Sequence, residues 1–116
     1  DIYASWDVLK KQLVAGLNIC MTGIPYWTTD IGGFRVRSRE NSGEGTGEIG
    51  TEIHRNISSC DGGYAKGLKD SAYLELYTRW FQYGALSPIF RAHGTEVPRE
   101  IWHFGEPAYF MTFKLR

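Results

Sequence analysis

Net charge, cysteine and long apolar runs are all scarce in this sequence, and each scarcity excludes something. Thirteen basic and thirteen acidic side chains cancel, so no electrostatic pull toward nucleic acid or an anionic membrane is expected. No apolar stretch approaches the eighteen or so residues of a membrane span. Two cysteines in 116 residues make no disulfide framework. Cys20 lies in an apolar run, which predicts a buried thiol, and Cys60 sits in a Gly-rich stretch. Neither has metal-ligand spacing, nor do His54 and His103, so no metal or other cofactor is expected. No signal peptide is visible, and the first residue is Asp rather than Met. That start points to processing or to a segment of a longer chain. Asn56-Ile57-Ser58 fits the glycosylation pattern, but so short a motif decides nothing.

What is present is apolar and aromatic: 42% hydrophobic and 15% aromatic residues, enough for a packed core. From Ser5 to Leu17, Trp6, Leu9, Leu13 and Leu17 recur at helical spacing, with Ser5 as N-cap. Gly16 and Asn18 favour termination there. Ile19 to Ile24 is short and apolar without alternation, the pattern of a strand buried on both faces. Arg35 to Asp70 holds half of the glycines and few large apolar groups, and reads as an insertion over a surface. Ser71 to Tyr83 is helical again, with Tyr73, Leu76, Tyr77, Trp80 and Phe81 on one face and Asp70 or Ser71 as cap. Ala85 to Phe90 reads as a second short strand, Thr95 to Glu106 as loop, and Ala108 to Leu115 as the start of another helix.

Two polar tips follow the two expected strands. In "GIPYWTTDIGGF" a carboxylate, Asp30, ends the first, and Gly32 and Gly33 let backbone approach a ligand or take positive φ. Such a carboxylate accepts hydrogen bonds from hydroxyls of a neutral ligand, or simply caps a turn. In "FRAHG" His93 can bond a hydroxyl or be a satisfied loop histidine, and Arg91 can pair with a neighbouring carboxylate. Trp27 and Phe34 flank Asp30, and aromatic rings stack on sugars as readily as they fill cores. Trp80, on a helix stripe, reads as core. Sites of (β/α) barrels lie where strands end, but a whole barrel needs about 250 residues.

The stretches "SWDVLKKQLVAGLNICMTGIPYWTTDIGGF" and "ELYTRWFQYGALSPIFRAHGTEVPREIWHFG" resemble glycoside hydrolase family 31. Its members are retaining α-glycosidases with a (β/α)8 catalytic barrel. The resemblance implies an α/β fold in which residues 1–116 form roughly the last third of such a TIM barrel, with residues 35–70 as a Gly-rich inserted loop. It also gives Asp1 a role. The family's general acid/base is an Asp just before the "SW" helix, and Asp1 stands five residues before Trp6. Carried across in the same way, Asp30 and Phe34 line the sugar pocket, His93 bonds a sugar hydroxyl and Trp27 adds a wall. Arg91 remains a structural ion-pair candidate. The family's nucleophile lies in a W-x-D-M-N-E-like motif that these residues do not contain.

The function so implied is hydrolysis of terminal α-linked glycosyl residues with retention, α-xylosides before α-glucosides. The expected partners are an oligosaccharide or glycoside and the remainder of the catalytic domain, with no nucleic acid and no membrane. The chain alone is expected to be inactive. Bacterial periplasmic, secreted and cytoplasmic locations all stay open. The competing readings are a non-catalytic carbohydrate-binding module and an inert fragment. Binding modules are usually β-sandwiches with alternating strands, against which the two amphipathic helices argue.

Overall fold

Ser5 starts the first helix. Its side chain accepts a hydrogen bond from the Val8 backbone N–H at 3.1 Å, satisfying one of the donors a helix leaves open at its start. Helix α1 then spans Trp6–Met21, with a 2.6 Å ion pair between Asp7 and Lys11 on its outer face. The structure, a computed structural model, describes residues 2–36, 64 and 66–106. Asp1, His54, Cys60, the glycosylation pattern at Asn56, most of the 35–70 stretch and the helix expected over 108–115 lie outside the described residues.

Helix α1 overruns its expected end, and this removes the strand expected over Ile19 to Ile24. Gly16 reads as a terminator but serves packing. A Cβ there would come within 2.8 Å of the Trp27 ring and 3.0 Å of the Tyr83 hydroxyl. The helix therefore carries a glycine in its interior, at a cost of about 1 kcal/mol relative to Ala. It ends at Thr22, whose backbone N–H bonds the Ile19 carbonyl at 3.0 Å, and Gly23 follows with φ +88°. Residues 19–24 are thus the last helical turn and the bend after it. Cys20 is exposed on that turn, not buried. The apolar stripe is also covered over less of its length than expected. Leu9 is buried, but Val14 is 59% and Leu17 70% exposed, with nothing among the described residues over them.

The extended segments form no ladder among the described residues. A strand is made by hydrogen bonds to a neighbour, and residues 24–30 have no such neighbour among the described residues. One isolated parallel bridge joins Tyr3 and Arg35, through Ala4 N–H to the Arg35 carbonyl at 2.7 Å and Arg35 N–H to the Ile2 carbonyl at 3.0 Å. The second expected strand, Ala85 to Phe90, is likewise absent. Ala85 is the last residue of the second helix, and Leu86 and Ser87 close tight bonds back to Tyr83 and Gly84. The ends of the described part of the Gly-rich stretch meet: Tyr64 N–H donates to the Val36 carbonyl at 2.9 Å.

Helix α2 spans Ser71–Ala85. Asp70 caps it, accepting from the Ala72 N–H at 3.1 Å. Tyr73, Leu76, Tyr77, Trp80 and Phe81, one stripe by spacing, are all buried. Phe104 stacks on Tyr77 with ring centroids 3.5 Å apart at 12°. It arrives on a 3-10 turn, Ile101–Phe104, inside what the sequence reads as loop. Ala4, Leu9, Ile31 and Val36 complete the core.

This packing sets a contrast between two substitutions. Leu76 is 0% exposed, so Leu76→Ala should destabilise the folded protein by about 2–5 kcal/mol. Exposed Cys20→Ser should shift stability by less than about 0.5 kcal/mol. Thermal melts of the two variants against wild type check both.

Candidate functional site

Helix α2 grips the segment that carries Asp30. Trp80 Nε1 donates to Thr29 Oγ1 at 2.7 Å, and the Tyr73 hydroxyl donates to the Gly32 carbonyl at 3.2 Å. Between these two bonds Ile31 is buried against Gly84, where a Cβ would stand 2.5 Å from Ile31 Cδ1. The glycine pair fits the protein to itself rather than to a ligand. Gly32 and Gly33 have φ of +84° and +79°. A Cβ on Gly32 would lie 2.6 Å from the Tyr77 ring, and one on Gly33 2.6 Å from the Ala4 backbone. Positive φ and missing volume are both used.

Held this way, the segment turns Asp30 toward a second loop. Asp30 Oδ1 pairs with Arg91 Nη2 at 2.8 Å, the carboxylate side chain 20% and the guanidinium side chain 53% exposed. Four residues on, Phe34 meets His93, ring centroids 5.6 Å apart at 44°. Two stretches some sixty residues apart in sequence thus bring together Asp30, Phe34, Arg91 and His93. Trp27, the expected pocket wall, meets α1 instead. The Cδ1–Nε1 edge of its indole lies against Gly16 of α1, and its buried Nε1 finds no hydrogen-bond partner among the described residues. Asp1, the expected acid/base, is outside the described residues.

The cluster offers an ionic carboxylate, a guanidinium, an imidazole and a ring face. These are groups that hydrogen-bond and stack on a neutral polyhydroxy ligand. They do not by themselves make a nucleophile and its base. Among the described residues no group of three or more His, Cys, Asp or Glu could hold a metal ion.

Four supporting residues escaped the sequence reading. Arg99, in "VPREIW", is 5% exposed and, among the described residues, donates only to backbone carbonyls. Glu96 adopts φ +75°, and its Oε2 accepts from Val36 N–H at 2.9 Å. Tyr73 and Tyr77 read as apolar stripe, yet both hydroxyls work as donors, Tyr77 to the Arg99 carbonyl at 2.5 Å. Burial pushes the Tyr73 phenol up to about 12 and the Tyr77 phenol higher still. Both phenols therefore stay protonated as donors. The sequence signal for Arg99 was Gly94: a Cβ there would lie 2.5 Å from Arg99 Nη2. Only knowledge of the fold makes that spacing readable.

Comparison with known proteins gives this geometry a family. Residues 1–115 match the model of the glycosyl hydrolases family 31 TIM-barrel domain. The chain belongs to glycoside hydrolase family 31. A crystal structure of a family 31 α-xylosidase from Xanthomonas citri superposes with a TM-score of 0.68 at 36% identity, covering 100% of this chain and 11% of that one. An α-xylosidase of Saccharolobus solfataricus is 35% identical over 104 residues, 90% of this chain and 10% of the relative. The human neutral α-glucosidase C is 32% identical over 108 residues, 91% of this chain and 8% of the relative. The family 31 chain spans about a tenth of the length of these curated relatives.

Two measurements follow from the family 31 segment's geometry. A raised phenol pKa means that folding favours the neutral form. That stability is complete below pH 10, the ordinary tyrosine value, and is lost as pH rises toward about 12. Alkaline melts should show this loss, and Tyr73→Phe should flatten it. The Asp30–Arg91 pair is partly solvated, so Arg91→Ala should cost at most about 1 kcal/mol of stability, read by denaturant titration.

Proposed function

We propose that this chain is the part of a family 31 catalytic barrel, roughly its last third, that binds the sugar and delivers the acid/base in retaining hydrolysis of terminal α-glycosides. The observation that supports the reading best is the convergence of Asp30 and Phe34 with Arg91 and His93. Asp30 accepts from sugar hydroxyls, with Arg91 holding its carboxylate in place. His93 bonds a further hydroxyl, and Phe34 offers its ring to the sugar face. α-Xylosides are the favoured substrates and α-glucosides the next. The relatives named α-xylosidases in Saccharolobus solfataricus and Xanthomonas citri support that order.

The mechanism needs two carboxylates about 5 to 5.5 Å apart. A nucleophilic Asp from the remainder of the domain attacks the anomeric carbon and forms the glycosyl-enzyme. Asp1 protonates the leaving oxygen, then takes a proton from the water that releases the sugar. Asp1 must start protonated, a state that burial and the neighbouring nucleophile favour. With no nucleophile of its own, the 116-residue chain alone is inactive.

In the enzyme that carries this chain, Asp1→Ala should abolish turnover of natural disaccharides but spare the first step on aryl glycosides with good leaving groups. Azide should restore their turnover as the α-glycosyl azide. Unchanged hydrolysis of disaccharides by Asp1→Ala would remove Asp1 from this role. His93→Ala should lose about 1–3 kcal/mol of transition-state binding, seen as a fall in kcat/KM.

A further inference from the structure

Arg99 is a buried cation without a carboxylate in its contacts among the described residues. Its Nη2 donates to the carbonyls of Gly33 at 2.8 Å, Phe34 at 3.2 Å and Thr95 at 3.2 Å, and its Nη1 to that of Val97 at 2.8 Å. The guanidinium lies against the Cα of Gly94, the residue after His93. Around it the two loops are zipped further. Thr95 N–H donates to the Phe34 carbonyl at 2.8 Å, and Glu96 bonds Val36 N–H and lies 3.8 Å from Arg35. Glu96 makes these contacts from a left-handed φ of +75°, which costs a residue with a Cβ of order 1–3 kcal/mol.

We infer that Arg99 is a positioning residue of the sugar site: it clamps the loop that presents Asp30 and Phe34 to the loop that presents Arg91 and His93. The inference rests on the sugar-binding reading above. Desolvating a guanidinium is expensive unless its donors are used; here four carbonyls from two loops take the Nη1 and Nη2 donors, while the buried Nε has no hydrogen-bond partner among the described residues. Those carbonyls belong to Gly33 and Phe34 on one side and to Thr95 and Val97 on the other. The fork geometry of Arg reaches both sides at once, which a single ammonium cannot do. Phe34 is itself a clamped residue, and His93 adjoins the Gly94 against which the guanidinium packs. The spacing between the Phe34 and His93 rings is therefore set from beneath by Arg99. An error of about 1 Å in such a site is enough to cost on the order of 100-fold in rate.

The test uses the intact enzyme that carries this chain, with nitrophenyl α-xyloside and α-glucoside as substrates, well below each variant's Tm. Arg99→Ala and Arg99→Lys should fold and lose on the order of 100-fold in kcat/KM. Millimolar guanidinium should restore much of the activity of Arg99→Ala, and methylammonium should not. Gly94→Ala, which keeps Arg99 but displaces its guanidinium, should show a loss of the same order, and it carries the test should Arg99→Ala not fold. Amide exchange at Thr95 and Val36 should speed up in both Arg99 variants. A folded Arg99→Ala or Gly94→Ala with wild-type kcat/KM and a lowered Tm would overturn the inference, because the residue would then serve stability alone. A wild-type enzyme inactive on every α-glycoside would overturn the sugar-site reading instead. Exchange at Thr95 and Val36 would then decide the clamp by itself, with unchanged exchange refuting it.

Discussion

The bond from Trp80 Nε1 to Thr29 Oγ1, with the Tyr73 hydroxyl on the Gly32 carbonyl beside it, is the constraint on which the rest depends. Residues 24–30 have no sheet neighbour among the described residues to hold them. Their position comes instead from helix α2, through two buried donors and through Ile31 in the core. Each donor is an aromatic side chain whose polar end finds its partner, the condition under which a buried Trp or Tyr stabilises rather than penalises. The high pKa of Tyr73 follows from the same burial. It keeps the donor protonated over the whole physiological range.

From that anchor the site is built outward by exclusion of volume. Gly32 and Gly33 let the chain turn in contact with Tyr77 and Ala4, Gly84 admits Ile31, and Gly94 admits the Arg99 guanidinium. Side chains at any of these places would push apart elements that now touch. The result is a rigid base under a polar rim. Asp30, Arg91, Phe34 and His93 occupy the rim, Asp30 paired with Arg91 and Phe34 beside His93. The charges at the rim are partly solvated and add little stability.

Much of this was legible in the sequence, and the failures have physical causes. The helices over Trp6 to Leu17 and Tyr73 to Phe81 follow from spacing, although only the second stripe is buried throughout, and residue type gives Ser5 as the first cap and leaves Asp70 and Ser71 as candidates for the second, where Asp70 serves. The strands did not follow. Ile19 to Ile24 has the composition of a buried strand, but local composition cannot tell a helix's last turn from a stave, and Gly16 gave a false stop because its role is to admit Trp27. The cluster of Asp30, Phe34, Arg91 and His93 was reachable only through the family resemblance, since nothing local relates residues sixty positions apart. Arg99 escaped because, among the described residues, it bonds backbone carbonyls rather than a carboxylate, and a carbonyl partner leaves no mark in the sequence.

The central claim is that this rim holds a sugar. A crystal structure of the intact family 31 enzyme, trapped with a fluorinated glycosyl fluoride that arrests the glycosyl-enzyme, tests it most directly. The account predicts a covalently bound sugar with hydroxyls in hydrogen-bond contact with Asp30 and His93 and one face against Phe34. A trapped sugar that touches none of these three residues would contradict it.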